Sequence, residues 1–205
     1  MKQAVRKRVA KPAEERRVDL MDAALRVFLE KGAASTTVAD ITDAAGVAKG
    51  TFYLYFDSKE ALLGALKERF VDDMIAHASQ FAERVGREDW WILAEATAEG
   101  WVDFALEHRA QIRLFAQEGV TVETFEPFAE CEAKLHGLFV AGIEAGTRAG
   151  AFHVTDPELT AHFVSKALEG TVEHAILFGA AIDRDALVTG AKELVRKVLG
   201  PSVAS

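Results

Sequence analysis

"VAKGTFYLYFDSKEAL", residues 47–62, holds both tyrosines of a 205-residue chain, Tyr53 and Tyr55, with Lys49 before them and Lys59 after. Just upstream, Thr37-Val38-Ala39-Asp40 places a hydroxyl where a helix begins and a carboxylate three residues on, a variant of the capping box. Gly46 stops the short helix so opened, and Val47 turns the chain into a third helix expected to end near Phe56. Before them, "RRVDLMDAALRVFLEKG", residues 16–32, repeats Leu20, Ala24 and Phe28 at four-residue steps and stops at Gly32. Two short helices joined through a glycine turn and braced by a longer one describe a helix-turn-helix.

Helical spacing sorts the faces of the third helix. Ala48, Phe52 and Phe56 share the side expected to face Val38, Ile41 and Val47, leaving Lys49, Gly50, Tyr53 and Leu54 outward. In a major groove Gly50 permits close approach, Lys49 reaches a guanine edge or a phosphate, and Thr51 and Tyr53 offer hydroxyls. Tyr55 lies toward the flanking backbone. Asp57-Ser58-Lys59-Glu60 starts a fourth helix, putting Lys59 where helix N–H groups already favour an anion, and Thr37 brackets the other side. A three-helix protein-binding module with half-buried tyrosines fits the same pattern.

Charge leans toward a polyanion. The net charge is −8, yet residues 1–60 carry 11 Lys and Arg against 9 Asp and Glu, and the remainder 13 against 23. The first five charges, from Lys2 to Lys11, are all positive. A basic start joined to an acidic remainder reads as a polyanion-facing module with a body that avoids the polyanion. No apolar run is long enough to span a bilayer and no signal-type segment follows the basic start, so the expected location is the cytoplasm.

Helical periodicity continues to the end, and the expected fold is all-α with about nine helices. From Ser58 a pattern of nearly thirty residues runs without a breaker; further helices are expected at about 89–107, 109–118, 125–149, 157–178 and 184–199. The domains read as a basic flexible arm (1–12), a helix-turn-helix domain (13–58) and a ligand-binding and dimerisation domain (59–205). The helix at 157–178 carries two apolar stripes, Leu159, Phe163, Ala167, Gly170 and His174 beside Val164, Leu168, Val172 and Ala175. The helix at 184–199 does likewise. Apolar residues on two sides of the last two helices point to a homodimer packed through them, or to helices buried within one subunit.

The stretch "AALRVFLEKGAASTTVADITDAAGVAKGTFYLYFDSKEALL", residues 23–63, resembles the DNA-binding domain of TetR-family transcriptional regulators. The resemblance rests on Phe28, Gly32, Thr36-Thr37-Val38, Ile41, Ala45-Gly46-Val47, Gly50-Thr51-Phe52-Tyr53, Tyr55-Phe56 and Ser58-Lys59-Glu60. Ala33-Ala34 departs from it, where the family often has an aromatic. The resemblance implies groove contacts by Lys49, Gly50, Thr51, Tyr53 and Tyr55 and phosphate contacts by Thr37 and Lys59. It implies a dimeric repressor on double-stranded DNA, released from a palindromic operator by a small molecule in the second domain.

Residues beyond 65 must speak for themselves. Trp101, Phe104 and His108 share one face of a helix; Phe128 and Leu135 share one face of another, with Phe139 and Phe163 among the remaining large aromatics. Such faces enclose an apolar cavity for a small hydrophobic or amphipathic effector, or fill a core. An acyl-CoA would need cations at the mouth, with Arg109, Arg113 and Lys134 as candidates. Glu132/His136 and Glu158/His162 are i,i+4 pairs with no third ligand fixed and are read as solvated faces, so no metal and no cofactor is expected. The chain lacks G-x-S-x-G and H-E-x-x-H, and its one cysteine, Cys131, lies on an apolar stripe; no enzyme activity is expected. The alternative is an architectural or division-control DNA-binding protein of the same fold that has no inducer.

Overall fold

The computed structural model describes residues 12–85, 89–118, 122–179 and 183–200; the side chains of residues 78, 81–85 and 122–128 lie outside that description. The expected basic arm, residues 1–12, falls outside it but for Pro12, which precedes the first helix. The described residues form nine helices: α1 (Ala13–Lys31), α2 (Val38–Ala45), α3 (Lys49–Phe52), α4 (Lys59–Val85), α5 (Trp90–Glu107), α6 (Arg109–Glu118), α7 (Val122–Arg148), α8 (Pro157–Phe178) and α9 (Arg184–Leu199). The chain divides into two compact units after Leu66, within α4.

Local chemistry sets the helix ends. Thr37 and Asp40 close a reciprocal capping box at the start of α2. The Asp40 N–H donates to Thr37 Oγ1 at 3.2 Å, and Asp40 Oδ2 accepts the Thr37 N–H at 2.7 Å. Gly46 ends α2 at φ 65°, ψ 37°, a left-handed conformation that a side chain makes costly. Aspartates cap α5, α8 and α9: Asp89, Asp156 and Asp183 each accept backbone N–H groups of the first turn, and Pro157 opens α8. The start of α7 differs from expectation, lying three residues upstream of Phe125.

The first unit packs α1, α2 and α3 with the opening turns of α4 around Leu20, Ala24, Phe28, Ile41, Phe52 and Leu62, all at most 1 % exposed. In the second unit α5 packs on α9 and α7 on α8, while α8 also touches α5, α6 and α9. Their shared core includes Val102, Val164, Leu168, Val172, Ile176 and Val195. Phe152, between α7 and α8, is pressed against Gly146: a Cβ there would lie 2.2 Å from its ring. Trp91 meets the same ring edge-on at 5.1 Å. Polar links join α5 to α9, with Arg184 bonding Asp103 and Glu99, and Arg196 bonding Glu95.

One α8 stripe is buried within its own unit and the other is bare. Val164, Leu168 and Val172 are at most 6 % exposed, whereas Leu159, Phe163 and Phe178 are 51, 66 and 74 % exposed.

Candidate nucleic-acid interface and body cavity

The α3 segment is shorter and tighter than its periodicity predicts. It is helical only from Lys49 to Phe52, with Ala48 extended at its start. Beyond it Leu54 N–H donates to Thr51 O at 3.3 Å and Tyr55 N–H to Phe52 O at 3.0 Å, both three-residue returns. Gly50, Thr51 and the aromatics are poor α-helix formers, which favours the tighter coil. Phe56 N–H still returns to Phe52 O at 3.0 Å, so both phenylalanines face inward, Phe52 fully buried and Phe56 5 % exposed. The Arg17 guanidinium lies over the Phe56 ring at 5.3 Å, bracing this anchor from α1. Ala48, expected on the inner side, is exposed instead, because the helix begins one residue after it.

With two phenylalanines as the anchor, the rest of the segment points out. Lys49 and Gly50 are exposed, Tyr53 is half-exposed with its ring edge-on to Phe52 at 5.3 Å, and Thr51 and Tyr55 are partly buried. Leu54 is 79 % exposed, the barest large apolar side chain described. It was not among the expected contacts, although its register on the outward face marked it.

Thr37 and Lys59 are placed differently from the phosphate contacts expected of them. The Thr37 hydroxyl donates to Asp40 Oδ2 at 2.6 Å, and Asp40 is further held by Lys31 at 2.7 Å. Lys31, then Thr37, holds the Asp40 carboxyl well below the usual carboxylate range. Lys59 Nζ donates to Ala33 O at 2.6 Å and Thr36 O at 3.1 Å, strapping the start of α4 to the loop between α1 and α2. Two of its three donors are engaged there. Both side chains close the fold around α2.

The second unit holds a cavity of about 540 Å³, with a further one of about 260 Å³ that shares part of its lining. Trp101, Phe104, Leu135 and Phe139 line both, which brings four of the seven expected effector residues together. Three are not so placed. His108 sits behind the wall, its Nδ1 2.9 Å from Phe104 O and its ring stacked on Phe104 at 4.1 Å. Phe163 belongs to the bare stripe of α8 and lines neither cavity, a correction to its expected place. The Phe128 side chain lies outside the described residues.

The larger cavity also has a polar side that sequence reading missed. Glu132 and His136 of α7, with Lys166, Glu169 and Glu173 of α8, line it together with Lys67 of α4. The candidate cations are elsewhere: Lys134 pairs with Asp72, and Arg113 Nε donates to Ile176 O at 2.9 Å, near the end of α8. Among the described residues no three His, Cys, Asp or Glu are grouped to hold a metal ion. Burial, then Glu68, pushes the Cys131 thiol up, which disfavours a reactive thiolate. No described helix is long and apolar enough to cross a membrane.

A helix-turn-helix unit with a bare, cationic third helix, followed by a larger all-helical unit, defines a DNA-binding regulator. Residues 20–66 match the profile of the family described as bacterial regulatory proteins, tetR family. Over 157 residues the chain is 31 % identical to the HTH-type transcriptional repressor KstR2 of Rhodococcus jostii, spanning 73 % of this chain and 74 % of that one. The fold matches a TetR-family protein of Syntrophomonas wolfei at TM-score 0.78 and 22 % identity, covering 95 % of this chain and all of the other. It matches a tetR-family regulatory protein of Rhodococcus RHA1 at TM-score 0.69 and 22 % identity, over 91 and 98 % of the two chains. The chain belongs to the TetR family of transcriptional regulators, which bind DNA operators, usually form homodimers, and are not enzymes.

Proposed function

We propose that the protein is a dimeric cytoplasmic repressor whose α3 segments enter successive major grooves of a palindromic operator, roughly 34 Å apart. The outward set on the Phe52–Phe56 anchor carries this reading. Lys49 reads a base edge, Gly50 lets the backbone approach, and Leu54 offers an apolar surface to a thymine methyl. Thr51, Tyr53 and Tyr55 hold phosphates. Thr37 and Lys59 frame the site, and Lys59 brings its remaining donor to the backbone. Two copies pair through α8 and α9, covering the bare Leu159–Phe163–Phe178 stripe.

A small apolar or amphipathic effector in the body cavity weakens DNA binding by favouring a conformation with misplaced reading segments. The cavity of about 540 Å³ supports this reading over an architectural protein without an inducer. Anisotropy titrations on palindromic fragments from beside the gene, with and without candidate effectors, test it. An effector that binds the body yet leaves operator affinity unchanged refutes induction for that compound.

A further inference from the structure

The two sides of the larger cavity differ in chemistry. One is aromatic, built from Phe70, Trp101, Phe104, Phe115 and Phe139. Across the other side Lys166 already has carboxylates. Lys166 is held by Glu132 and, at 2.6 Å, by Glu169. Lys67 lies over the Phe115 ring at 5.8 Å, within the field of Glu118.

Glu173 differs from its neighbours. Among the described residues its carboxylate accepts no hydrogen bond and pairs with no cation at contact distance. Burial first, then Glu169, holds its carboxyl above the usual carboxylate range, against the weaker pull of Lys166. A second orphan lines the same cavity. His136 Nε2 lies 3.0 Å from Glu158 Oε1, while its Nδ1 is buried without a partner. With Nε2–H donating to that carboxylate, a neutral ring leaves Nδ1 as an acceptor.

Glu173 therefore offers acceptors and gains from a positive charge. His136, whose ring meets His162 roughly three turns back along α8, is too far from Glu173 to share the same ligand group. A carboxylate ligand would bring acceptors to acceptors; a hydroxyl supplies one donor and leaves the charge of Glu173 unanswered. An ammonium supplies up to three donors and a full charge.

We propose that the cavity takes an organic cation: an aromatic or aliphatic body on the Phe70–Trp101–Phe139 wall, with a protonated amine against Glu173. This rests on the reading of the cavity as the effector site and narrows its ligand class.

Calorimetric titration of the full-length protein with 6-phenylhexylamine, 6-phenylhexanol and 6-phenylhexanoate at pH 7.5 tests it, each below its aggregation concentration. The amine is expected to bind at least about tenfold more tightly than the alcohol, the size of one charge-assisted hydrogen bond, with the carboxylate weakest. Glu173→Gln is expected to erase that advantage and leave the alcohol within about threefold. A carboxylate that binds as tightly as the amine overturns the proposal, as does an amine advantage that survives Glu173→Gln. Should none of the three bind, the effector reading of the cavity fails and takes this proposal with it.

Discussion

Leu54 is the side chain whose position is hardest to explain from folding. Nothing in its own unit covers it, and at 79 % exposure its removal should hardly alter stability. Leu54→Ala is expected to melt like the wild type yet to lose about 1 kcal/mol of operator affinity, the order of the apolar contact it would forfeit. Paired calorimetry and anisotropy separate the two quantities. Lys49→Ala, if Lys49 reads a base, should cost ~1–3 kcal/mol and relax preference at one position of each half-site. Binding to a randomised operator library checks this, and an unchanged preference would make Lys49 a phosphate contact. For Thr37→Ala the expected loss is about 1 kcal/mol of first-unit stability, read from thermal melts. The partner in that clasp sets its pH range. Because Lys31, then Thr37, depresses the Asp40 carboxyl below its unfolded value, the stabilisation is complete above the unfolded pKa of 3.8. It is lost only as pH falls through the folded value. Melting midpoints of wild type and Asp40→Asn should therefore differ by a constant amount from pH 8 to about 5 and converge in stronger acid.

At the scale of elements, caps were the most legible signal. Thr37/Asp40, Asp156-Pro157 and Gly46 each name a helix end in two to four residues, and the bounds of α6, α8 and α9 follow their periodicity. The ends of α3 were less legible, since three-residue and four-residue returns both keep Phe52 and Phe56 on one side. Facing was legible only in part. The two stripes of α8 are equally apolar in sequence, and periodicity cannot say which meets the subunit's own core; Phe163 was misplaced for that reason. The polar side of the cavity was hidden more thoroughly. Glu132, His136, Glu169 and Glu173 repeat at one-turn spacing, the pattern of a solvated face, and only the convergence of α4, α7 and α8 turns it inward. Gly146 shows a different limit, because sequence alone gives no sign that a ring fills the space beside it. Gly146→Ala forces Phe152 to move, with an expected cost of about 1–3 kcal/mol in body stability. A melt indistinguishable from wild type would mean that Phe152 has room to yield.

For the molecule as a whole, the charge asymmetry and the number of helices were readable from composition and periodicity, while the pairing of two copies remained a choice between two burials. The bare stripe of α8 now weights that choice toward a second copy. Phe163→Glu puts a charge where two such stripes would meet. It is expected to yield monomers by sedimentation and to abolish tight binding to a full palindrome while retaining weak binding to a half-site. Dimers that persist in this variant would move the interface elsewhere.

Phe163 and Phe178 also bear on how such a protein behaves when scarce. If pairing is what shields those rings, unfolding is tied to dissociation, and each tenfold dilution removes about 1.4 kcal/mol per dimer from the resistance to heat. Copy number in the cell then sets durability as well as operator occupancy, and a newly made chain is at its most adhesive until it meets its twin.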